Sequence, residues 1–228
     1  MTPRTKTQPD LLRVPADRRQ RVAGLYAITP DTTDSIGLAR RTAEAIAGGA
    51  AMVQYRNKSA SACVREEQAQ LLATVCHKAG IPLIVNDDVE LARMSGADGV
   101  HLGRDDAAID SARAVLGADA LIGVSCYGDL ERARNAQRAG ANYVAFGSFF
   151  ASATKPGAVR PPVELLRQAR AAIDLPIVAI GGITADNAGI LIEAGADAVA
   201  VISALFHTAD TRVAASAFAP ALALLTTR

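Results

Sequence analysis

One phrase, Gly-Ala-x-x-Val, recurs four times in this chain: Gly49 to Val53, Gly96 to Val100, Gly140 to Val144 and Gly195 to Val199. The copies lie 47, 44 and 55 residues apart. In each copy the glycine suits the left-handed residue that closes a helix, and the valine opens a short apolar run. The phrase reads as a helix turning tightly into a strand, and its spacing leaves room for one more strand and helix between copies. Strands are predicted over Gly24–Thr29, Met52–Arg56, Ile81–Asp87, Gly99–Leu102, Leu121–Cys126, Tyr143–Phe149, Pro176–Ile180 and Ala198–Ile202. Helices are predicted over Ile36–Ala47, Cys63–Lys78, Asp88–Ser95, Asp106–Leu116, Leu130–Ala139, Pro162–Ile173, Asp186–Ala194 and Thr211–Thr226, with Pro220 placed to kink the last. Eight strand–helix pairs whose runs are apolar on both faces point to parallel strands closed into a single (β/α)₈ barrel, a TIM barrel, over residues 22–228. An open flavodoxin-like or Rossmann sheet is the other arrangement of such pairs, but no Gly-x-Gly-x-x-Gly follows the first strand.

Composition narrows the partners. A net charge of +1 supplies no field to attract nucleic acid or an anionic membrane. With 4% aromatic residues and no tryptophan, the chain lacks the stacking platforms of a single-strand binder. The cysteines, Cys63, Cys76 and Cys126, are odd in number and show no C-x-x-C spacing, which argues against a disulfide framework or a zinc site and fits a reduced, cytoplasmic protein. No apolar run approaches the length of a membrane span. Residues 1–21 hold six basic and two acidic side chains with Pro3, Pro9 and Pro15, and read as a flexible N-terminal extension. The sequence is compatible with a monomer or a homo-oligomer.

In barrels of parallel strands the chemistry collects where the strands end. The run Pro82-Leu83-Ile84-Val85 ends abruptly in Asn86-Asp87-Asp88, either a functional amide and carboxylate or a strand-ending turn with Asp88 as helix cap. Strand two runs into Gln54, Arg56 and Lys58, whose alternate spacing puts an amide and two cations on one side of an extended chain, able to converge on one anion or to form a solvated face. Strand four leads through His101 to Asp106, a carboxylate able to share a Mg²⁺ with Asp87 or to cap the next helix. His101 itself suits a general base or a buried structural residue. Ser125 ends strand five, as a ligand contact or a turn residue. Ser152, Thr154 and Lys155 in the loop after strand six make an anion-binding set. Strand seven ends in Gly181-Gly182 and strand eight in Ile202-Ser203, where the loops of this fold recurrently bind phosphate through bare backbone N–H groups. Two anion sites on one rim suggest two phosphorylated substrates. The scarcity of paired acids and bases suits a reaction driven by a departing phosphate group.

From Leu25 to Ser203 the chain resembles the thiamine-phosphate synthase family. The resemblance lies in Gln54 to Lys58, with Asn57 where the family pattern has Glu, in Asn86-Asp87, in Val100 to Gly103 leading to Asp106, and in Gly123-Val124-Ser125. It continues in Ser152-Ala153-Thr154-Lys155, in Gly181-Gly182 and in Ile202-Ser203. It implies coupling of an aminopyrimidine bearing a diphosphooxymethyl group with a phosphoethyl thiazole, or its carboxylated form, to give thiamine phosphate and diphosphate. By the same resemblance Gln54, Arg56, Lys58, Asn86 and Ser125 bind the aminopyrimidine diphosphate, Asp87 and Asp106 hold Mg²⁺, and Lys155 adds charge. Ser152, Thr154, Gly182, Ile202 and Ser203 form the thiazole-phosphate end, and Arg56, Lys58, Ser125 and Lys155 carry the catalysis. A thiazole tautomerase of the same barrel family, or a non-catalytic binder of thiamine precursors, is the alternative.

Overall fold

The computed structural model describes residues 22–104, 106, 108–151 and 160–227. The predicted extension 1–21 lies outside them. Eight parallel strands close into one barrel in chain order, each hydrogen-bonded to the next and β8 back to β1. The strands and helices alternate as β1 Gly24–Ile28, α1 Ser35–Ala47, β2 Ala50–Tyr55, α2 Ala62–Ala79, β3 Leu83–Asn86, α3 Val89–Ser95, β4 Gly99–Leu102 and α4 Ile109–Leu116. They continue as β5 Leu121–Tyr127, α5 Leu130–Arg138, β6 Tyr143–Gly147, α6 Glu164–Ala172, β7 Ile177–Ile180, α7 Ala185–Glu193 and β8 Ala198–Val201.

The barrel has two apolar shells, which is why its strands show no polar face. Leu25 and Ala27 of β1 point outward into the layer between strands and helices, while Tyr26 and Ile28 point inward to Met52, Ile84, Tyr143 and Val178. The two-residue period is present, but both faces are buried. Gly123 lets the inward Tyr143 ring fit, since a Cβ there would lie 2.0 Å from it.

The repeated phrase has a structural basis that the sequence does not display. Its glycines, Gly49, Gly96, Gly140 and Gly195, all have positive φ. In the last three copies the residue after Gly-Ala also caps the preceding strand. Asp98 accepts from the Leu83 N–H at 2.9 Å, Asn142 from Ile122 at 2.9 Å and Asp197 from Ile177 at 2.7 Å. Each takes a second partner from a helix: His77, Arg113 and Arg170 respectively. The floor of the barrel is thus stitched by three related polar joints.

Two predicted helices differ. The helix predicted from Asp106 begins at Ile109, so Asp106 is not its cap. The single helix predicted over Thr211–Thr226 is instead α9 Thr211–Ser216, α10 Ala219–Leu222 and a 3₁₀ turn at Ala223–Thr227. Pro220 has no N–H to continue the ladder and its ring crowds the carbonyl four residues back, so the helix breaks and Pro220 sits in the first turn of the next. A short helix, α8 Ser203–Phe206, also follows β8 without a strand between it and α9.

Candidate active site

The C-terminal ends of the strands surround a cavity of about 830 Å³. Gln54, Arg56, Asn86 and Ser125 line it on the side of β2 to β5, and Gly181, Gly182, Ile202 and Ser203 line it opposite. A smaller polar pocket beside it is lined by Lys58, Arg65, Asn86 and Asp87. Most of the predicted site residues therefore meet on one rim. Ser152, Thr154 and Lys155 lie outside the described residues.

Gln54, Arg56 and Lys58 do not all face one way. β2 ends at Tyr55, and beyond it the chain leaves the extended conformation that alternate spacing assumes. Arg56 stays in the main cavity, with its guanidinium 3.1 Å from Asp31, and Lys58 turns to the smaller pocket, where its ammonium lies 2.9 Å from Asp87. Asn57 is buried beneath this turn. Its amide donates to the Thr32 carbonyl at 2.6 Å and to Gln68 at 3.0 Å, while its oxygen accepts from the N–H groups of Ser59 and Ala60. A neutral amide thus ties the loop carrying Arg56 and Lys58 to the loop after β1 and to α2.

Asp87 occupies the left-handed region at φ 65, in a three-residue turn closed by the Asp88 N–H donating to the Asn86 carbonyl at 2.8 Å. A non-glycine residue held there is strained, and such strain gathers at functional sites. Asp88 is the cap of α3, accepting from Leu91, so the two acids divide the roles that the sequence leaves open. Asp106 accepts from the Gly103 N–H and lies within electrostatic reach of Asp87. Burial raises the Asp106 pKa, and the neighbouring Asp87 carboxylate pushes the same way. Burial acts to raise Asp87 too, but the Lys58 ammonium beside it outweighs this and holds Asp87 below the usual range. Two neighbouring carboxylates are oxygen donors of the kind a hard cation takes. Mg²⁺ takes one or two carboxylates and completes its shell with water and phosphate oxygens. Among the described residues no cluster of three or more acidic, His or Cys side chains offers a denser metal site.

Across the cavity Gly181 and Gly182 have φ of +104 and +63. A Cβ on Gly182 would lie 2.2 Å from the Ala151 carbonyl oxygen, so backbone alone fits. Asn187 of α7 donates to the Gly182 carbonyl at 3.1 Å and fixes the turn. This is the bare-backbone geometry that suits a phosphate.

Several site residues escape a reading of strand ends. Asp31 and Thr29 follow β1: Asp31 holds Arg56 and the Lys58 N–H, and Thr29 exchanges hydrogen bonds with the Arg56 backbone. The polar run Asp31-Thr32-Thr33-Asp34 is the signal for Asp31. Tyr26 and Tyr143, inside apolar strands, meet hydroxyl to hydroxyl at 2.9 Å. Burial pushes both phenols well above their ordinary pKa, so they stay protonated. Arg104 stacks over the Tyr127 ring at 5.0 Å on the cavity wall. His101 is buried, in contact with Tyr143 and Ser125.

A closed parallel barrel with a cation and carboxylate cluster facing a glycine phosphate turn defines a (β/α)₈ enzyme suited to two anionic substrates. The chain belongs to the thiamine monophosphate synthase family, whose model matches residues 25–205. It is 58% identical over 191 residues to a thiamine-phosphate synthase of Azoarcus sp. strain BH72, covering 84% of this chain and 93% of that protein. To the thiamine-phosphate synthase of Nitrosospira multiformis it is 51% identical over 215 residues, 94% of this chain and 92% of that one. A solved thiamine phosphate pyrophosphorylase from Pyrococcus furiosus superposes with a TM-score of 0.82 at 32% identity, covering 92% of this chain and 99% of its own. No helix among the described residues is long and apolar enough to cross a membrane.

Proposed function

We propose that this chain is a thiamine-phosphate synthase joining an aminopyrimidine diphosphate to a thiazole phosphate with release of diphosphate. The observation that carries the proposal is the pairing of two unlike sites on one rim: Arg56 in the main cavity with the Lys58–Asp87 pair in the pocket beside it, and Gly182 and Ser203 across the cavity. Family membership supports the same reading.

In this scheme the bond between the pyrimidine methylene carbon and the diphosphate oxygen breaks, the electron pair leaves with diphosphate, and the thiazole nitrogen attacks the carbon. Arg56 and Lys58 hold the departing charge, with Lys155 in the same role. Asp87 and Asp106 hold a Mg²⁺, which when bound neutralises the diphosphate. Gln54, Asn86 and Ser125 orient the pyrimidine. Gly182, Ile202 and Ser203, with Ser152 and Thr154, seat the thiazole phosphate so that its nitrogen faces the carbon. No acid–base pair is required, because the work is alignment and stabilisation of leaving charge. A cytoplasmic location is part of the same proposal.

The test is diphosphate release from purified protein given both precursors, with and without Mg²⁺ and with each precursor omitted. Release that needs all three components is expected. Binding of the thiazole phosphate without any diphosphate release would overturn the synthase in favour of a tautomerase or a precursor-binding protein.

A further inference from the structure

Five side chains from five strands form one hydrogen-bonded file across the inside of the barrel. The Gln54 amide donates to the Tyr26 hydroxyl at 2.8 Å, Tyr26 meets Tyr143 at 2.9 Å, Tyr143 meets His101 Nδ1 at 3.1 Å, and His101 Nε2 meets Ser125 Oγ at 2.9 Å. Both ends of the file, Gln54 and Ser125, line the cavity, whereas Tyr143 is fully buried. We infer that this file runs in one direction, fixing His101 as the Nε2–H tautomer and presenting Gln54 Oε1 as an acceptor and the Ser125 hydroxyl as a donor to the ring of an aminopyrimidine. The inference rests on the proposed function for the identity of the ring, and makes Tyr26, Tyr143 and His101 positioning residues.

The direction follows from donor counting. Each tyrosine hydroxyl has one proton to give, and a buried proton without an acceptor is costly. With Gln54 Nε2 donating to Tyr26, the Tyr26 proton goes to Tyr143, and the Tyr143 proton goes to His101 Nδ1. That nitrogen is then an acceptor, so the ring proton sits on Nε2 and is donated to Ser125 Oγ. The Ser125 proton is left for the cavity. An imidazolium or the Nδ1–H tautomer would aim a second proton at Tyr143 and turn that hydroxyl's own proton onto Tyr26, which already accepts from Gln54 and, 1% exposed, would have to find another acceptor for its own. The edge presented to the cavity, one acceptor and one donor, complements an exocyclic amino group beside a ring nitrogen. The oxo analogue, with a carbonyl beside a ring N–H, offers the opposite pattern. A site built on such hydrogen bonds rejects the mismatched analogue strongly.

The experiment uses the full chain labelled with ¹⁵N-histidine, which has three histidines, with His101→Gln to assign the resonance. At neutral pH, His101 is expected to show a protonated Nε2 and a bare Nδ1. Tyr143→Phe should mix the tautomers and raise KM for the aminopyrimidine diphosphate about tenfold, while KM for the thiazole phosphate stays within about twofold. An Nδ1–H or doubly protonated ring in the wild type would overturn the inference. So would an unchanged pyrimidine KM in a folded Tyr143→Phe, or an equal rise for both substrates. Should Tyr143→Phe fail to fold, Tyr26→Phe and the wild-type tautomer decide the same question. A wild-type chain without turnover would sink the proposed function, and the tautomer spectrum would still judge the file.

Discussion

At the scale of single residues, Asp87 combines two unusual features: a left-handed backbone and an ion pair with Lys58. In the proposed reaction its carboxylate acts on leaving charge more than on folding. Asp87→Ala is therefore expected to lower turnover at least tenfold, roughly 1.4 kcal/mol of transition-state stabilisation, with an unchanged circular dichroism spectrum. Wild-type turnover in the folded variant would refute its role. Gly182→Ala tests the opposite end. Its φ of +63 and the Ala151 oxygen leave no room for a Cβ, so the turn must shift. KM for the thiazole phosphate should rise by about tenfold or more, and KM for the pyrimidine diphosphate should change little. Residue types at the strand ends were readable because they interrupt apolar runs. Tyr26 and Tyr143 were not, because a tyrosine in such a run looks like core until its hydroxyl's partner is known.

At the scale of elements, the loop after β2 shows how a departure from a family pattern is accommodated. Asn57 contacts Thr32, Gln68, Ser59 and Ala60, and Gln68 also accepts from the Tyr55 hydroxyl at 2.9 Å. Asn57→Ala should free this loop, so that inorganic diphosphate with Mg²⁺ binds about tenfold more weakly by calorimetry while thiazole phosphate binds as before. Equal loss at both ends would mean general unfolding instead. The capped strand starts make a separate prediction. The Asp197 side chain, 18% exposed, serves both Ile177 and Arg170, whereas Asp98 is 32% exposed and pairs with His77. Asp197→Ala should cost about 2–3 kcal/mol in urea unfolding and Asp98→Ala about half that, because the better-buried joint leaves more desolvated groups. Helices and strands were legible from periodicity to within a few residues. The break before Pro220 exceeds the kink that the sequence predicts, since a proline can kink or end a helix and only packing of the following turn decides which.

At the scale of the whole molecule, closure of β8 onto β1 brings every strand end to one rim, so the two ends of the proposed site, at β2–β4 and at β7–β8, belong to a single unit. Mg²⁺ and diphosphate together, at about a hundred times their dissociation constant, should stabilise the fold by about 2.7 kcal/mol and raise the melting midpoint by roughly 5–10 °C. Diphosphate without Mg²⁺ should give a smaller shift; equal shifts by calorimetry would argue against the metal site at Asp87 and Asp106. The sequence by itself determined the order of elements, the parallel closed barrel and most of the residues on its active rim, because apolar periodicity and strand-end polarity are local properties. Tertiary structure alone decided that Lys58 turns to Asp87, that Asp106 joins that pair, and that Tyr26 meets Tyr143 across 117 residues of chain. Those contacts depend on the stagger with which eight strands close, and no local pattern of residues records it.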